Sequence, residues 1–205
     1  RLLIQRNAVL KRIHSNQDVL SSLEVWDEQL VFVSAFLSQQ RRSFLEDFLP
    51  LFNEQYTLLG ESREHVGMEY KSDLLHGDFA EKLKFALEKD IHLQYTSMGI
   101  QKDDILFHLN DYPIKKFGSQ GQSKAFIIAL KLAQYKYLSD VLGTQPILLL
   151  DDMFEKIDEQ RAQKLIDLLA SNQFGQMHRS AKKFERRMMA LVVADGNACG
   201  GGEKI

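Results

Sequence analysis

The 205-residue sequence is poor in several features that would each point to a particular class of protein. It has one cysteine, Cys199, which excludes an internal disulfide and is compatible with a reducing compartment. No apolar run approaches the length of a membrane span and no signal peptide is visible, so we expect a cytoplasmic protein without a membrane partner. The net charge of −2 means that any affinity for nucleic acid would need a local basic patch or a partner.

A further absence concerns nucleotide chemistry. The phosphate-binding loop G-x-x-x-x-G-K-[ST] occurs nowhere in the sequence, and the nearest segment, Gly200-Gly201-Gly202-Glu203-Lys204, lacks the spacing and follows no convincing strand. We therefore expect this chain alone neither to bind ATP tightly nor to hydrolyse it. The sequence also starts at Arg1 within a helical pattern, which favours a piece of a longer protein.

The order of apolar and polar residues divides the chain into three zones. Residues 1–63 predict two antiparallel helices that form an arm, because apolar side chains recur at helical spacing up to about residue 59. A plain helical bundle within one domain fits that periodicity too. Residues 64–177 alternate strand and helix patterns and predict a mixed α/β lobe. Residues 178–205 begin with a basic segment that lacks a strand pattern and become Gly-rich, which predicts an atypical tail.

Within the middle zone the patterns predict individual elements. Alternating or continuous apolar runs predict strands at 65–71, 95–98, 105–109, 114–117 and 147–150, with a hairpin turn at 110–113. Helical periodicity predicts helices at 78–90, 120–142 and 158–171, the last of them capped by Asp158.

Two adjacent carboxylates follow the most apolar of these strands. Asp151 and Asp152 come directly after Leu148-Leu149-Leu150, at the end of a strand where ligands of open α/β sheets usually bind. One carboxylate at such a position can hold Mg²⁺ beside phosphates, and its neighbour can orient or deprotonate a water molecule. We assign the metal role to Asp151 and the water role to Asp152. The alternative is that two acids simply begin a solvated loop.

A short polar segment opens the longest helix of the middle zone. Ser119-Gln120-Gly121-Gln122 combines the free N–H groups of a helix start with a glycine that permits close approach of a phosphate. The Ser119 hydroxyl and the glutamine side chains add hydrogen-bond donors. The alternative is an ordinary serine cap preceded by a turn glycine. The tetrapeptide followed by a long helix, an apolar strand and an acid pair is a more specific signal than any one of them.

The order and spacing of these segments resemble the C-terminal lobe of ABC-type ATPases of the SMC/RecF/RecN group, most closely its RecF family. Residues 118–122 are similar to the signature loop, written S-Q-G-Q, and residues 148–154 to the Walker B strand, which carries Asp-Asp in that family. Glu155-Lys156-Ile157-Asp158 is similar to the S-E-L-D loop, with differences at its first two positions. Further similarity lies in the arm motif at 25–30 and in the turn at 99–104.

The resemblance implies an ABC-type head with a short helical arm, working with ATP and Mg²⁺. ATP would join two protomers head to tail into a homodimer. The signature loop of one, meaning Gly118, Ser119, Gln120, Gly121 and Gln122, would contact the nucleotide on the other. Asp151 and Asp152 would act on the protomer's own nucleotide, and Asp158 would lie at the dimer seam.

The resemblance also implies a role in the bacterial cytoplasm, in DNA recombination, repair, replication restart and the SOS response. The expected partners are double-stranded DNA, junctions between single and double strands, and the proteins RecR and RecO, with which the dimer would assist recombinase loading. The complete protein would be a weak DNA-dependent ATPase. Two alternatives stay open: another SMC-like or RecN-like head, or a non-catalytic helical interaction module.

One departure from the family pattern is abrupt. After Gly175-Gln176 the family continues with a strand rich in Ile, Phe and Thr, whereas this chain continues with His178-Arg179-Ser180. We interpret the change near Met177 as a shift of reading frame or an incomplete gene, and predict a poorly ordered tail at 178–205 without family function.

Overall fold

A computed structural model describes residues 1–12, 20–59, 64–151, 157–170 and 177–180. The chain divides into two compact units, one made of Arg1–Pro50 and Gly67–Pro113 and the other of Leu51–Val66 and Ile114–Ile205. The described helices are α1 (Leu2–Arg12), α2 (Leu20–Leu59), α3 (Phe79–Leu93), α4 (Ile114–Phe117), α5 (Gln120–Leu142) and α6 (Glu159–Ala170). The described strands are β1 (Val66–Lys71), β2 (Asp104–Leu109), β3 (Tyr112–Pro113), β4 (Leu148–Asp151) and β5 (Met177–Ser180).

The first unit packs helices against each other through two small apolar clusters. Leu10 of α1 and Leu23 of α2 form one of them, against the partly buried side chains of Val9, Leu87 and Ile91. Leu30 of α2 meets Phe79 and Leu83 of α3 in the second. Burial of these apolar side chains is the main force that holds the three helices together.

A buried arginine also connects these helices through ion pairs and hydrogen bonds. Arg6 is fully buried, and its guanidinium donates to Asp27 at 2.5 Å, to Asp90 at 2.6 Å and to the Thr96 hydroxyl at 2.9 Å. Asp90 is also fully buried, and its second oxygen accepts the Ser97 N–H at 2.8 Å. A buried charge is tolerated only when it is paired and hydrogen-bonded, so this cluster fixes the positions of α1, α2 and α3 relative to one another.

Strands β1, β2 and β3 form a three-stranded sheet in that order. The β2–β3 pair is antiparallel, with His108 opposite Pro113 and Leu109 opposite Tyr112. The tight connection depends on Asn110, whose φ of 54° lies in the left-handed region that asparagine tolerates better than most residues.

The second unit is organised around the buried face of α5. Ala125, Ile128, Ala129, Leu132 and Ala133 on that face are fully buried. Two aromatic rings from the last turns of α2 pack on Phe126, Phe52 with a centroid separation of 4.8 Å and Tyr56 with one of 6.2 Å. These edge-on contacts add to the burial energy of the rings.

A two-stranded parallel sheet, β4–β5, completes the described part of this unit, with Leu148 opposite Met177 and Asp151 opposite Ser180. In the residues that the structure describes, no helix has both the length and the apolar content needed to cross a bilayer.

The predicted α/β class is confirmed, as are the strands at 65–71, 105–109 and 147–150, each within one residue. The helices at 78–90, 120–142 and 158–171 are confirmed as α3, α5 and α6, although α3 continues three residues further, to Leu93. Helix α2 covers Leu20–Leu59, so it ends where the helical spacing of apolar residues indicated. The division of the chain at residues 63 and 177 stays a prediction.

Three local predictions are wrong. Residues 95–98 form no strand, because the Thr96 and Ser97 N–H groups bond to the side chains of Asn7 and Asp90 instead of a neighbouring strand. Residues 114–117 are the short helix α4, closed by a bond from the Gly118 N–H to the Ile114 carbonyl at 2.9 Å. The return strand of the hairpin is instead β3, Tyr112–Pro113, which lies within the predicted turn at 110–113. Residues 177–180 form strand β5, although their polar sequence indicated none. Residues 181–205, the rest of the predicted tail, lie outside the described residues.

Candidate functional site

The loop before α5 is a closed hydrogen-bond unit. Ser119 is the N-cap of the helix, and its hydroxyl oxygen accepts the Gln122 N–H at 3.1 Å. In return the Gln122 side-chain oxygen accepts the Ser119 N–H at 2.9 Å, which completes a capping box. The first helical turn leaves the N–H groups of Gln120 and Gly121 without intrahelical acceptors. The loop therefore presents backbone donors and the Ser119 hydroxyl hydrogen from a fixed frame.

Position 118, directly before Ser119, has room for a glycine only. A Cβ atom at position 118 would lie 2.8 Å from both the carbonyl oxygen and the Cγ1 of Ile114. No real Cβ atom approaches a backbone oxygen so closely, so a side chain here would push α4 away from the start of α5. The requirement for glycine at this position is steric.

A carboxylate from a distant part of the sequence supports the capping box. Glu64, 58 residues before Gln122, accepts its side-chain N–H at 2.7 Å. The other Glu64 oxygen accepts the Tyr56 hydroxyl at 2.8 Å. Tyr56 is fully buried, so it anchors the Glu64 carboxylate to the core of the second unit.

The start of α6 lies next to the same loop. Asp158 caps α6 by accepting the Arg161 N–H at 3.0 Å. The Arg161 guanidinium lies 3.5 Å from the Asp158 carboxylate and 3.7 Å from that of Glu64. A Cβ atom at Gly121 would lie 3.4 Å from the Arg161 guanidinium and 3.7 Å from the Asp158 carboxylate. The loop, Asp158 and Arg161 therefore form one site within the second unit.

The helix starts and Arg161 supply donors for an anion, beside the carboxylates of Glu64 and Asp158. Two helix starts, those of α5 and α6, carry partial positive charge at their free N–H groups. Arg161 adds a full charge, and its side chain is only 14% exposed. Its two ion pairs are longer than hydrogen bonds, so guanidinium donors remain available to a further acceptor.

The sequence patterns predicted part of this site and did not predict the rest. Ser119, Gly121, Gln122 and Asp158 were predicted, and they are neighbours in the structure. Glu64, Tyr56 and Arg161 were missed. Arg161 had a usable signal, because it follows the predicted cap Asp158 by three residues in a helix. Glu64 and Tyr56 had none, since nothing in the local pattern links them to a loop far along the chain.

Of the two adjacent carboxylates, the structure describes the backbone of Asp151. Asp151 is the last residue of β4, at the carboxyl end of the strand as predicted. Asp152 lies outside the described residues. The metal role of Asp151 and the water role of Asp152 stay predictions, and no cluster of three metal-binding side chains occurs within the described ranges.

The turn at 99–104, the other motif in the resemblance, lies in the first unit. Asp103 accepts hydrogen bonds from the Tyr70 hydroxyl and, at 2.6 Å, from Arg41, which also donates to the Ile100 carbonyl at 2.9 Å. Burial, the largest single influence, lowers the pKa of Arg41, but the bonds to Tyr70 and Asp103 together raise it above its ordinary value. Arg41 is thus engaged within the fold.

The backbone conformation of this turn also requires its glycine. Gly99 has a φ of 116° and donates its N–H to Asp73 at 3.1 Å. A cavity of about 450 Å³ beside the turn is lined by Arg41, Phe44 and Asp103 among others.

Comparison with known proteins gives a consistent result. No protein-family model matches the chain. The "DNA replication and repair protein RecF" of Flavobacterium johnsoniae is 42% identical over 187 residues, which are 91% of this chain and 52% of the relative. RecF of Cytophaga hutchinsonii is 42% identical over 183 residues, 89% of this chain and 48% of the relative. The chain thus spans about half the length of the curated relatives it matches.

Solved structures agree with the sequence comparison. The structure described as "the recombination mediator protein RecF-ATP in RecFOR pathway" superimposes with a TM-score of 0.72 at 26% identity, covering 88% of this chain and 51% of that one. A second structure, of RecF with ATPrS, gives a TM-score of 0.69 over the same shares. The predicted fold, an ABC-type ATPase lobe of RecF type, is confirmed by this match.

Proposed function

Because this chain is homologous to about half of a RecF protein, we propose that it supplies the signature-loop part of a RecF-type ATPase. In this proposal ATP joins two protomers into a homodimer that holds double-stranded DNA, including junctions with single strands, and assists recombinase loading. The observation that carries the proposal is the assembly of the Ser119–Gln122 loop, Asp158 and Arg161 into one site at the starts of two helices.

The residues at this site fit a phosphate. Gly121 has no side chain to obstruct the first turn of α5, and the neighbouring N–H groups have no helical acceptors. The Ser119 oxygen is used as a cap, which leaves its hydrogen free to donate. We assign the contact with the terminal phosphate of ATP to Ser119, Gln120 and Gly121. Gln122 keeps this loop closed through the capping box, and Gly118 lies at the start of the loop. We also propose that Asp158 lies at the dimer seam.

The end of β4 supports a proposal for the metal and water roles. Asp151 is a carboxylate at the carboxyl end of a strand, and such oxygens suit Mg²⁺ beside nucleotide phosphates. We propose Asp151 as the Mg²⁺ ligand and Asp152 as the group that orients water, both on the protomer's own nucleotide. When bound, Mg²⁺ neutralises charge on the phosphates.

The biological setting follows from the relatives. They are named DNA replication and repair proteins, and the matched structure belongs to the RecFOR pathway. We propose the same setting for this chain, with RecO and RecR as partners, in recombinational repair, replication restart and the SOS response in the bacterial cytoplasm. Within it, residues 1–63 would serve as the arm, residues 64–177 as the ATPase lobe, and residues 178–205 would have no family role.

The proposal is tested by nucleotide-dependent association. The purified chain, labelled with a fluorophore, is titrated with RecF of Flavobacterium johnsoniae, which as a complete relative supplies the nucleotide-loaded partner. We expect tighter binding with a slowly hydrolysed ATP analogue than with ADP. Ser119→Arg should remove that difference, because a bulky cation would fill the space of the phosphate contact.

Ser139→Arg is the matched control, since it introduces the same side chain at the far end of α5, away from the loop. It should keep the nucleotide difference. Association that is equal with both nucleotides, or unchanged in Ser119→Arg, would contradict the proposal and favour a nucleotide-independent interaction module.

A further inference from the structure

Glu64 belongs to none of the motifs that the sequence carries, yet it contacts both parts of the candidate site. Its side chain is only 16% exposed. It accepts hydrogen bonds from Gln122 at 2.7 Å and from Tyr56 at 2.8 Å, and lies 3.7 Å from the Arg161 guanidinium. One carboxylate therefore connects the start of α5, the start of α6 and the buried end of α2, all within the second unit.

The contact with Gln122 decides how that side chain is oriented. A carboxylate only accepts hydrogen bonds, so the Gln122 amide must turn its NH₂ group towards Glu64. The amide oxygen then faces the Ser119 N–H, which it accepts at 2.9 Å to close the capping box. With the amide reversed, two donors would face each other at Ser119 and the box would open. Glu64 thus selects the one amide orientation in which the loop is closed.

The contact with Arg161 has a different character. At 3.7 Å the pair attracts electrostatically but does not form a short hydrogen bond, and the Asp158 pair at 3.5 Å is similar. Glu64 therefore keeps the guanidinium beside Gly121 while leaving its donors available to an anion.

We propose that Glu64 is a positioning residue for the nucleotide contact: it holds Gln122 and Arg161 in the arrangement that the Ser119–Gln122 loop needs to receive a phosphate. The inference rests on the proposed function, in which this loop contacts ATP. It assigns to Glu64 no contact with the nucleotide.

The first test compares Glu64→Ala with Glu54→Ala in the association assay. Glu54 is an equally charged residue of the same unit, but it makes an exposed pair with Lys136 at 2.7 Å. We expect Glu64→Ala to weaken ATP-analogue-dependent association by about tenfold, the effect of losing one charge-assisted hydrogen bond. Binding with ADP should stay close to wild type, although the urea midpoint should fall because the buried Tyr56 hydroxyl loses its acceptor. Glu54→Ala should change neither nucleotide condition.

A reciprocal exchange provides the sharper test and does not depend on the folding of Glu64→Ala. Gln122→Glu alone brings two carboxylates together and should weaken the nucleotide-dependent binding. Glu64→Gln combined with Gln122→Glu should restore much of it. The introduced amide at position 64 donates to the introduced carboxylate at position 122, which still accepts the Ser119 N–H as the usual capping-box acid does.

The outcomes separate this inference from the proposed function. If Ser119→Arg leaves association unchanged, the proposed function fails and the inference with it. If Ser119→Arg abolishes the nucleotide difference while Glu64→Ala keeps it, only the inference is overturned. Failure of the double exchange to exceed Gln122→Glu would overturn it as well, as would a loss in Glu64→Ala that is equal with ATP analogue and ADP.

Discussion

Replacing the buried Arg6 by methionine is expected to destabilise the first unit strongly. Arg6 and Asp90 are both fully buried and paired at 2.6 Å. Arg6→Met keeps much of the apolar stem and removes the guanidinium, so Asp90 becomes a buried charge without its cation. Removing one partner of a buried pair costs about 3–5 kcal/mol of unfolding free energy.

The local contacts place the expected value near the lower end of that range, about 3 kcal/mol. Asp90 keeps one hydrogen bond, from the Ser97 N–H at 2.8 Å, and Asp27 is 22% exposed and can turn to water. Only Oδ2 of Asp90 and the Thr96 hydroxyl oxygen lose the Arg6 donor without a replacement.

Urea unfolding followed by tryptophan fluorescence measures this loss directly. The single tryptophan, Trp26, precedes Asp27 on α2 and so reports on the same helix pair. Arg42→Met, the same change at an exposed site of that helix, is the control and should stay within about 0.5 kcal/mol of wild type. A loss below about 1 kcal/mol in Arg6→Met, with an unchanged denaturant slope, would refute the view that Arg6 neutralises a buried charge.

Two further substitutions test the packing of each unit by the same urea assay. Gly99→Ala should cost about 1–3 kcal/mol, because the residue has a φ of 116° and the new Cβ would lie 2.9 Å from the Phe79 ring; a wild-type midpoint would contradict this. Phe126→Ala should cost about 3–5 kcal/mol, since its ring is buried between two others, and Phe85→Ala, at a ring 94% exposed, should cost less than about 0.5 kcal/mol. Equal losses at the two phenylalanines would contradict the core described for α5.

The sequence predicted best what neighbouring residues decide among themselves. The caps Ser119 and Asp158 each bond to an N–H three residues along the chain, so a local pattern is sufficient to find them. The hydrophobic faces of α3 and α5 are likewise set by helical spacing. Those elements carry the parts of the candidate site that the sequence identified.

The errors arise where distant groups decide the backbone. Residues 95–98 include Tyr95 and Thr96, residue types typical of a strand, but side chains of Asn7 and Asp90 take the N–H groups that a strand would need. Strand β5 shows the opposite case. His178 and Arg179 are polar, yet their backbones lie in register with Leu149 and Leu150 of β4, because ladder pairing uses main-chain groups that every residue has.

The two interpretations of the serine before α5, a helix cap or a phosphate contact, are compatible, because they use different parts of one hydroxyl group. Its oxygen accepts the Gln122 N–H, and its hydrogen remains for a ligand. Ser119→Asp separates the two roles. Aspartate caps a helix as well as serine does, so stability should be kept, but its negative charge should repel a phosphate and abolish ATP-analogue-dependent association with RecF of Flavobacterium johnsoniae.

Ser119→Ala is the complementary variant, since it lacks both oxygen and hydrogen. It should lose about 1 kcal/mol of unfolding free energy together with nucleotide-dependent binding. Urea unfolding and the association assay on the same three proteins then distinguish the roles. If Ser119→Asp binds with the ATP analogue as tightly as wild type, no phosphate lies against this helix start, and Ser119 is a cap alone. If it binds no better than with ADP while its stability is kept, the loss belongs to the phosphate contact, because the cap is intact.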